Sequence, residues 1–292
     1  MQFQGLLAVL VTPFTANGRV DGESLDRLVD FYLYRGARGL VVLSVMGEGP
    51  ALTGRERIGV VRRVARRVSA RVPVIAGVNE GTPAAGAMAR RLVDQGATAL
   101  LVCTPSAQRS QYDEIAAHYR HLAVVGGVPL VMLDHPELVG ELPIPFIERV
   151  TSQVAHVRAI KVEAAPTHEK IAGLRSVLGD RLSPLGASGG LHCLAELEAG
   201  AVGLMTGYAY PEQLVEIMAR FRAGDRDGAQ AEYERWYPDL TQEQRYGLAF
   251  RKDVLRKRGI ISSSMLRPRL APAAGSLRAW GRPRVSTPAA MV

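Results

Sequence analysis

The sequence predicts an α/β fold, a (β/α)8 TIM barrel with a C-terminal helical appendage. Three observations predict it. Short apolar runs recur eight times with starts about 20 to 34 residues apart, the size of a βα repeat. The runs are rich in Val, Leu, Ile and Ala, as parallel strands covered by helices require. The stretches between them carry helical rather than strand periodicity.

Strands are expected over residues 6–12, 39–44, 73–78, 99–103, 129–133, 157–161, 182–186 and 202–205. After the second run, Ile58, Val61, Val64, Ala65 and Val68 make one apolar stripe, with Arg62, Arg63, Arg66 and Arg67 mostly off it. Thr53 and Glu56 are spaced as a capping box at that helix's start. Gly36, Gly96 and Gly200 stand where helices must stop before the next strand. Eight such units close most economically as a barrel. An open doubly wound sheet would want a glycine-rich phosphate loop after its first strand, and VTPFTANG does not supply one. The expected division is a barrel over 1–222, a helical appendage over 223–261, with helices at 225–237 and 241–258, and a basic, extended and partly mobile tail over 262–292.

The chain has 292 residues, 47% hydrophobic and 22% charged, an ordinary globular composition. It holds no apolar run long enough to span a membrane. Its first residues show no basic segment ahead of an apolar one, so no signal peptide is expected. Cys103 and Cys193 lie in no CxxC or Cys/His cluster, which speaks against a disulfide framework or a structural zinc site. Reduced thiols in the cytoplasm are the simplest expectation. The net charge is +8, yet residues 251–284 alone hold ten Arg or Lys and one Asp. The basicity therefore belongs to the C-terminal end. No nucleic-acid motif or aromatic ladder accompanies it, so a solvated helix face and tail are expected rather than a nucleic-acid footprint.

In a barrel of this kind the reactive groups sit at the C-terminal strand ends. In VRAIKVEA, residues 157–164, Lys161 and Glu163 are two apart, so they share a face. Lys161 is the one lysine among those strand ends. Burial in an apolar interior penalises charge and so favours the neutral, nucleophilic amine. An amine beside a carboxylate is the pair needed to form a Schiff base with a carbonyl and then move a proton. The competing reading is a strand-end lysine reaching for solvent.

Taken together, VTPF at 11–14, GE at 47–48 within SVMGEG, VPVIAGV at 72–78, CTP at 103–105, AIK at 159–161 and the helical end resemble the dihydrodipicolinate synthase/N-acetylneuraminate lyase superfamily of Schiff-base barrels. The resemblance runs from residue 3 to about 261. It implies a 2-keto acid substrate such as pyruvate, an imine on Lys161 with no cofactor, and usually a homotetramer. The departures matter as much. Where the family's second-strand loop reads GTTGE, this chain has Val45 and Met46 in place of the two threonines. The fifth strand's catalytic tyrosine is matched by Leu133, the fourth loop's relay tyrosine by Ala107, and the arginine that binds aspartate semialdehyde by Leu138. Lysine biosynthesis and ordinary sialic-acid cleavage are therefore not expected. The chain is more similar to members resembling L-2-keto-3-deoxyarabonate dehydratase, whose fifth strand ends Gln-Asp-x-Pro and sixth reads Lys-Ile-Glu. Asp134, Pro136, Lys161, Glu163 and MTG at 205–207 fit that pattern, while Leu133 replaces the glutamine.

The expected chemistry is an imine on Lys161, with Glu163 removing a C3 proton. His135, an imidazole with the parity of Leu133, and Ser44 are candidate proton donors to a departing hydroxyl. Ser44 and the backbone around Val45, Met46 and Gly47 are candidates for the substrate carboxylate. Leu133, Gly186 and Tyr208 are the remaining expected substrate contacts. Glu48 is read as a residue that orders its loop, and Cys103 as a small buried apolar group. Dehydration ranks above aldol cleavage because Leu133 cannot serve as a base. A keto-acid-binding barrel that has lost turnover is the competing class, and a nucleic-acid-associated protein a third.

Overall fold

The computed structural model describes residues 3–103, 112–136 and 141–268. Eight parallel strands close into one barrel in sequence order. They are β1 (Gly5–Val9), β2 (Gly39–Val42), β3 (Val74–Val78), β4 (Ala99–Val102), β5 (Leu130–Asp134), β6 (Val157–Val162), β7 (Ser183–Gly186) and β8 (Gly203–Thr206). The helices that follow them are α1 (Gly22–Tyr34), α2 (Gly54–Val68), α3 (Thr82–Asp94), α4 (Tyr112–Gly126), α5 (Ile144–Gln153), α6 (Thr167–Leu178), α7 (Cys193–Glu198) and α8 (Pro211–Arg222). A ninth, α9 (Arg226–Lys257), forms the appendage.

The register decides which side chains face inward. Partners in a parallel ladder share a face, and alternate residues take opposite faces. Pairings such as Leu7↔Gly39, Ile75↔Ala99, Val131↔Ala159, Leu133↔Lys161, Lys161↔Leu185 and Leu185↔Gly203 place odd-numbered residues on one surface around the whole barrel. Even-numbered residues face the helices, as the Asp134–Lys170 contact to α6 shows. Lys161 and Glu163 are therefore inward, and Asp134 is outward.

The local signals act as expected. Thr53 accepts from the Glu56 amide at 3.3 Å, and Glu56 returns a bond to the Thr53 amide at 2.9 Å. Val61, Val64 and Val68 of the stripe are fully buried, each contributing about 1.5–3 kcal/mol relative to exposure. Gly96 and Gly200 end their helices at φ 103° and 100°, a region where a Cβ would clash with the backbone.

The appendage differs from expectation. The helices expected at 225–237 and 241–258 form one element that runs through Pro238 and breaks at Gly247, with φ 65° and ψ −146°. A proline costs one hydrogen bond and some steric strain, which packing can offset. A reversal of φ needs glycine. Of the basic C-terminal segment, Arg251, Lys252, Arg256, Lys257, Arg258 and Arg267 all pair with carboxylates of this same chain. Residues 263–268 carry no regular secondary structure, and 262–267 are held down by hydrogen bonds, whereas 269–292 lie outside the described residues.

Candidate active site

Lys161 Nζ lies 2.9 Å from Glu163 Oε1, with the two side chains 10% and 17% exposed. Both are accessible from the mouth, yet neither is fully solvated. Glu163 stands just past the end of β6, where its amide donates to the Asp134 carbonyl at 2.9 Å and so continues the ladder by one residue. Leu133 on β5 and Leu185 on β7 flank Lys161 in register. Cys103 lies in the same field: burial pushes its thiol up to about 12, Glu163 adds to the rise and Lys161 opposes it. Cys103 is thus a neutral packing group beside the pair. An amine, a carboxylate within hydrogen-bond reach and an apolar wall are the parts that imine formation and proton abstraction need.

The loop after β2 forms another part of the rim. Leu43 and Glu48 adopt left-handed φ of 62° and 59° at its two ends, at a cost of about 1–3 kcal/mol each. Hydrogen bonds hold that shape. Ser44 Oγ accepts from the Gly47 amide at 3.0 Å, and the Gly49 amide donates to the Ser44 carbonyl at 3.0 Å. Thr12 donates to the Gly47 carbonyl at 2.6 Å, and Asn79 Nδ2 to the Leu43 carbonyl at 3.0 Å. The Gly47 amide is therefore already committed. Among the described residues, the amides of Val45 and Met46 have no hydrogen-bond acceptor. Gly47 must be glycine because a Cβ would meet the Leu10 carbonyl oxygen at 2.8 Å.

The remaining expected contacts scatter. His135 is half-buried just past β5, at inward parity. Tyr208 is not at the mouth. It is 1% exposed, its hydroxyl bonds Gln213 of α8, and its carbonyl accepts from Tyr32 of α1 at 2.8 Å. Its even parity turned it to the helix layer. Asp134 is likewise outside the barrel: it is fully buried, accepts from the Leu142 amide at 2.8 Å and pairs with Lys170 at 2.8 Å. Gly186 has its open side against Glu196 of α7, whose Oε2 would sit 1.9 Å from an added Cβ. Ala107 and Leu138 lie outside the described residues.

Glu196 was not among the residues expected from the sequence. It is fully buried, and neither carboxyl oxygen has a hydrogen bond of good geometry among the described residues. Burial, with a smaller contribution from the Glu163 charge, pushes it up to about 7 against the opposing Thr167 hydroxyl and Ala187 amide. Its only sequence signal is a carboxylate on the apolar face of a short helix. A cleft of about 590 Å³ between α1 and α8, lined by Gly5, Arg38 and Arg222, opens at the opposite end of the strands and is separate from Lys161. No three His, Cys, Asp or Glu side chains gather as metal ligands among the described residues. No helix among them is long and apolar enough to cross a membrane.

A closed eight-stranded barrel with an inward amine–carboxylate pair at its C-terminal mouth fits the class of (β/α)8 lyases. The comparisons name the family. A model of the dihydrodipicolinate synthetase family matches residues 2–279. An L-2-keto-3-deoxyarabonate dehydratase of Azospirillum brasilense is 30% identical over 91% of this chain and 87% of its own length. A 4-hydroxy-tetrahydrodipicolinate synthase of Sorangium cellulosum is 31% identical over 97% of this chain and 88% of its own. Among solved structures, a dihydrodipicolinate synthase of Rhodopseudomonas palustris superposes with a TM-score of 0.86 at 34% identity, covering 93% of each chain. The chain belongs to the dihydrodipicolinate synthetase family, whose members are Schiff-base lyases.

Proposed function

We propose that this lyase dehydrates a 2-keto acid of the 3-deoxy-sugar-acid type through an imine on Lys161. The observation that carries the reading is the inward Lys161–Glu163 pair at 2.9 Å, set beside a Leu133 that cannot exchange protons. The free amine of Lys161 attacks the C2 carbonyl, and water leaves to form the protonated imine. The imine withdraws electrons from C3, and Glu163 takes the C3 proton. The resulting enamine expels the C4 hydroxyl, which departs as water after receiving a proton from His135 or Ser44. Hydrolysis returns the amine and releases the unsaturated keto acid. The substrate carboxylate is assigned to the Val45 and Met46 amides with the Ser44 hydroxyl.

Retro-aldol cleavage within the same family is the second reading, and the synthase relatives support it. It needs a base on the C4 hydroxyl, and Leu133 disfavours it. Homotetrameric or dimeric assembly and a cytoplasmic location complete the proposal. The two buried free cysteines agree with a reducing compartment.

Borohydride reduction in the presence of each of a panel of 2-keto acids, followed by mass analysis of Lys161, tests the reading. The expected result is one adduct on Lys161. No adduct with any keto acid would leave a binding barrel without turnover. Glu163→Gln should keep the imine and lose turnover. Retained turnover would move the base elsewhere.

A further inference from the structure

The C-terminal segment reaches back to the rim. Ser262 donates its amide to Ser24 Oγ at 3.0 Å and its hydroxyl to Asp21, both at the start of α1. Lys252 of α9 is fully buried and donates to the Met265 carbonyl at 2.7 Å while pairing with Glu48 of the β2 loop. The Arg267 amide donates to the other Glu48 oxygen at 3.2 Å. The Arg267 guanidinium forks onto Glu56 at the start of α2, at 2.7 and 3.0 Å, and donates to the Gly18 carbonyl at 2.7 Å. Lys252 Nζ and Arg267 Cζ each lie 4.4 Å from the Phe14 ring centroid, so both cations use one aromatic ring of the β1 loop.

We infer that Arg267 and Lys252 are positioning residues, and that the segment 262–267 is a clamp fixing the Val45 and Met46 amides for the substrate carboxylate. The inference rests on the imine reading of the site. Its physical reason is the composition of the β2 loop. A threonine hydroxyl can find a carboxylate by changing rotamer, but a backbone amide cannot. With Val45 and Met46 in place of hydroxyl residues, the donors stand only where the backbone holds them. Glu48, two residues beyond Met46, is in a left-handed conformation and is gripped on one oxygen by Lys252 and on the other by the Arg267 amide. One ammonium and one backbone amide hold this strained residue, and the Arg267 guanidinium, bound to Glu56 and the Gly18 carbonyl, fixes the segment that carries that amide. Arg267 also holds Glu56 down to about 2, with the Thr53 cap assisting, so the Arg267–Glu56 contact stays charged at neutral pH.

The test uses the full-length chain with Arg267→Ala, Arg267→Lys and Glu56→Gln, and pyruvate as the probe. Half-saturation of the borohydride-trapped Lys161 adduct should rise about tenfold in Arg267→Ala, the equivalent of one charge-assisted hydrogen bond. The limiting rate of trapping at saturation should stay within about twofold, because the amine is untouched. Arg267→Lys should recover part of the loss by restoring the cation, though not the fork. Glu56→Gln should weaken pyruvate in the same direction from the other side of the contact. Unchanged half-saturation, or a fall in limiting rate alone, overturns the clamp. If the wild type forms no adduct, the imine reading fails first. Amide hydrogen exchange across residues 44–49 then decides the clamp independently. Exchange should quicken about tenfold in Arg267→Ala, and unchanged protection overturns it.

Discussion

Two lysine–carboxylate pairs are anchored at the ends of adjoining strands, one wholly within β6 and its loop, the other between β5 and α6, and they differ in almost everything that matters. Lys161 and Glu163 lie inside the barrel at 2.9 Å with side chains 10% and 17% exposed. Lys170 and Asp134 lie outside it at 2.8 Å with side chains 7% and 0% exposed. The register places Leu133 beside Lys161 and Asp134 beside Val162, so one residue of parity separates the two environments. The inner pair faces a mouth where a substrate carbonyl can replace an ion-pair contact. The outer pair is sealed between barrel and α6 and also accepts the Leu142 amide, so its charges fasten the layers together. The same pair of groups is proposed as reactive in one place and is structural in the other, according to what its free side meets.

The largest expected effect separates the pairs by activity. Lys161→Ala should abolish the borohydride adduct and lower turnover by at least about a thousandfold, since no other amine replaces the nucleophile. Its melting temperature should change little, because Glu163 remains open to water. A melt as depressed as that of an outer-pair variant would break the distinction.

The next separates them by stability. Lys170→Ala leaves Asp134 buried without its cation and should cost about 3–5 kcal/mol, read from denaturant unfolding. The Asp134→Leu/Lys170→Met double variant should recover most of that loss, because two apolar side chains need no desolvation. Turnover per folded molecule should hold in both. A loss of turnover without a loss of stability would assign the outer pair to the chemistry instead.

Glu196 links the two layers through pH. Its folded value of about 7 lies above its ordinary 4.5. The native state therefore holds a proton that the unfolded chain has released between those values. Stability is fully present below about pH 4.5, falls as pH rises towards 7, and levels off above it, by on the order of 3 kcal/mol. His118 acts in the opposite sense. Burial lowers it to about 4 from its ordinary 6.5, so its contribution is lost as pH falls through that window. Comparing unfolding of wild type and Glu196→Gln from pH 5 to pH 8 isolates the Glu196 slope. A slope that survives the substitution would exclude Glu196 as its source.

The smallest effect concerns the wall beside the amine. Leu133→Gln restores the residue that the resembling dehydratases carry. It should raise turnover on a polyhydroxylated 2-keto acid by about fivefold, the equivalent of one neutral hydrogen bond. Comparing kcat/KM for hydroxylated and alkyl keto acids checks it, and an unchanged ratio would remove Leu133 from specificity.

Much of the site could be read from the chain. The two-residue spacing of Lys161 and Glu163 put them on one face, and the face proved to be the inner one. Tyr208 was misplaced, since it has the other parity and packs against helices. A shift of one residue reverses a side chain's surroundings without altering local composition. The Gly47 amide was also misjudged, because its commitment to Ser44 depends on two left-handed residues that no spacing reveals.

By itself the sequence determined the eight βα repeats, the capping box at Thr53, the helix-ending glycines and the common face of Lys161 and Glu163, because each depends on short-range periodicity or on backbone freedom within a few residues. Only the tertiary structure decided that Glu48 is gripped by Lys252 and Arg267, that Glu196 is sealed beneath Gly186, and that the appendage breaks at Gly247. Those outcomes depend on desolvation and charge pairing between groups tens to hundreds of residues apart. Such energies are set when the barrel closes, and chain order carries no trace of them.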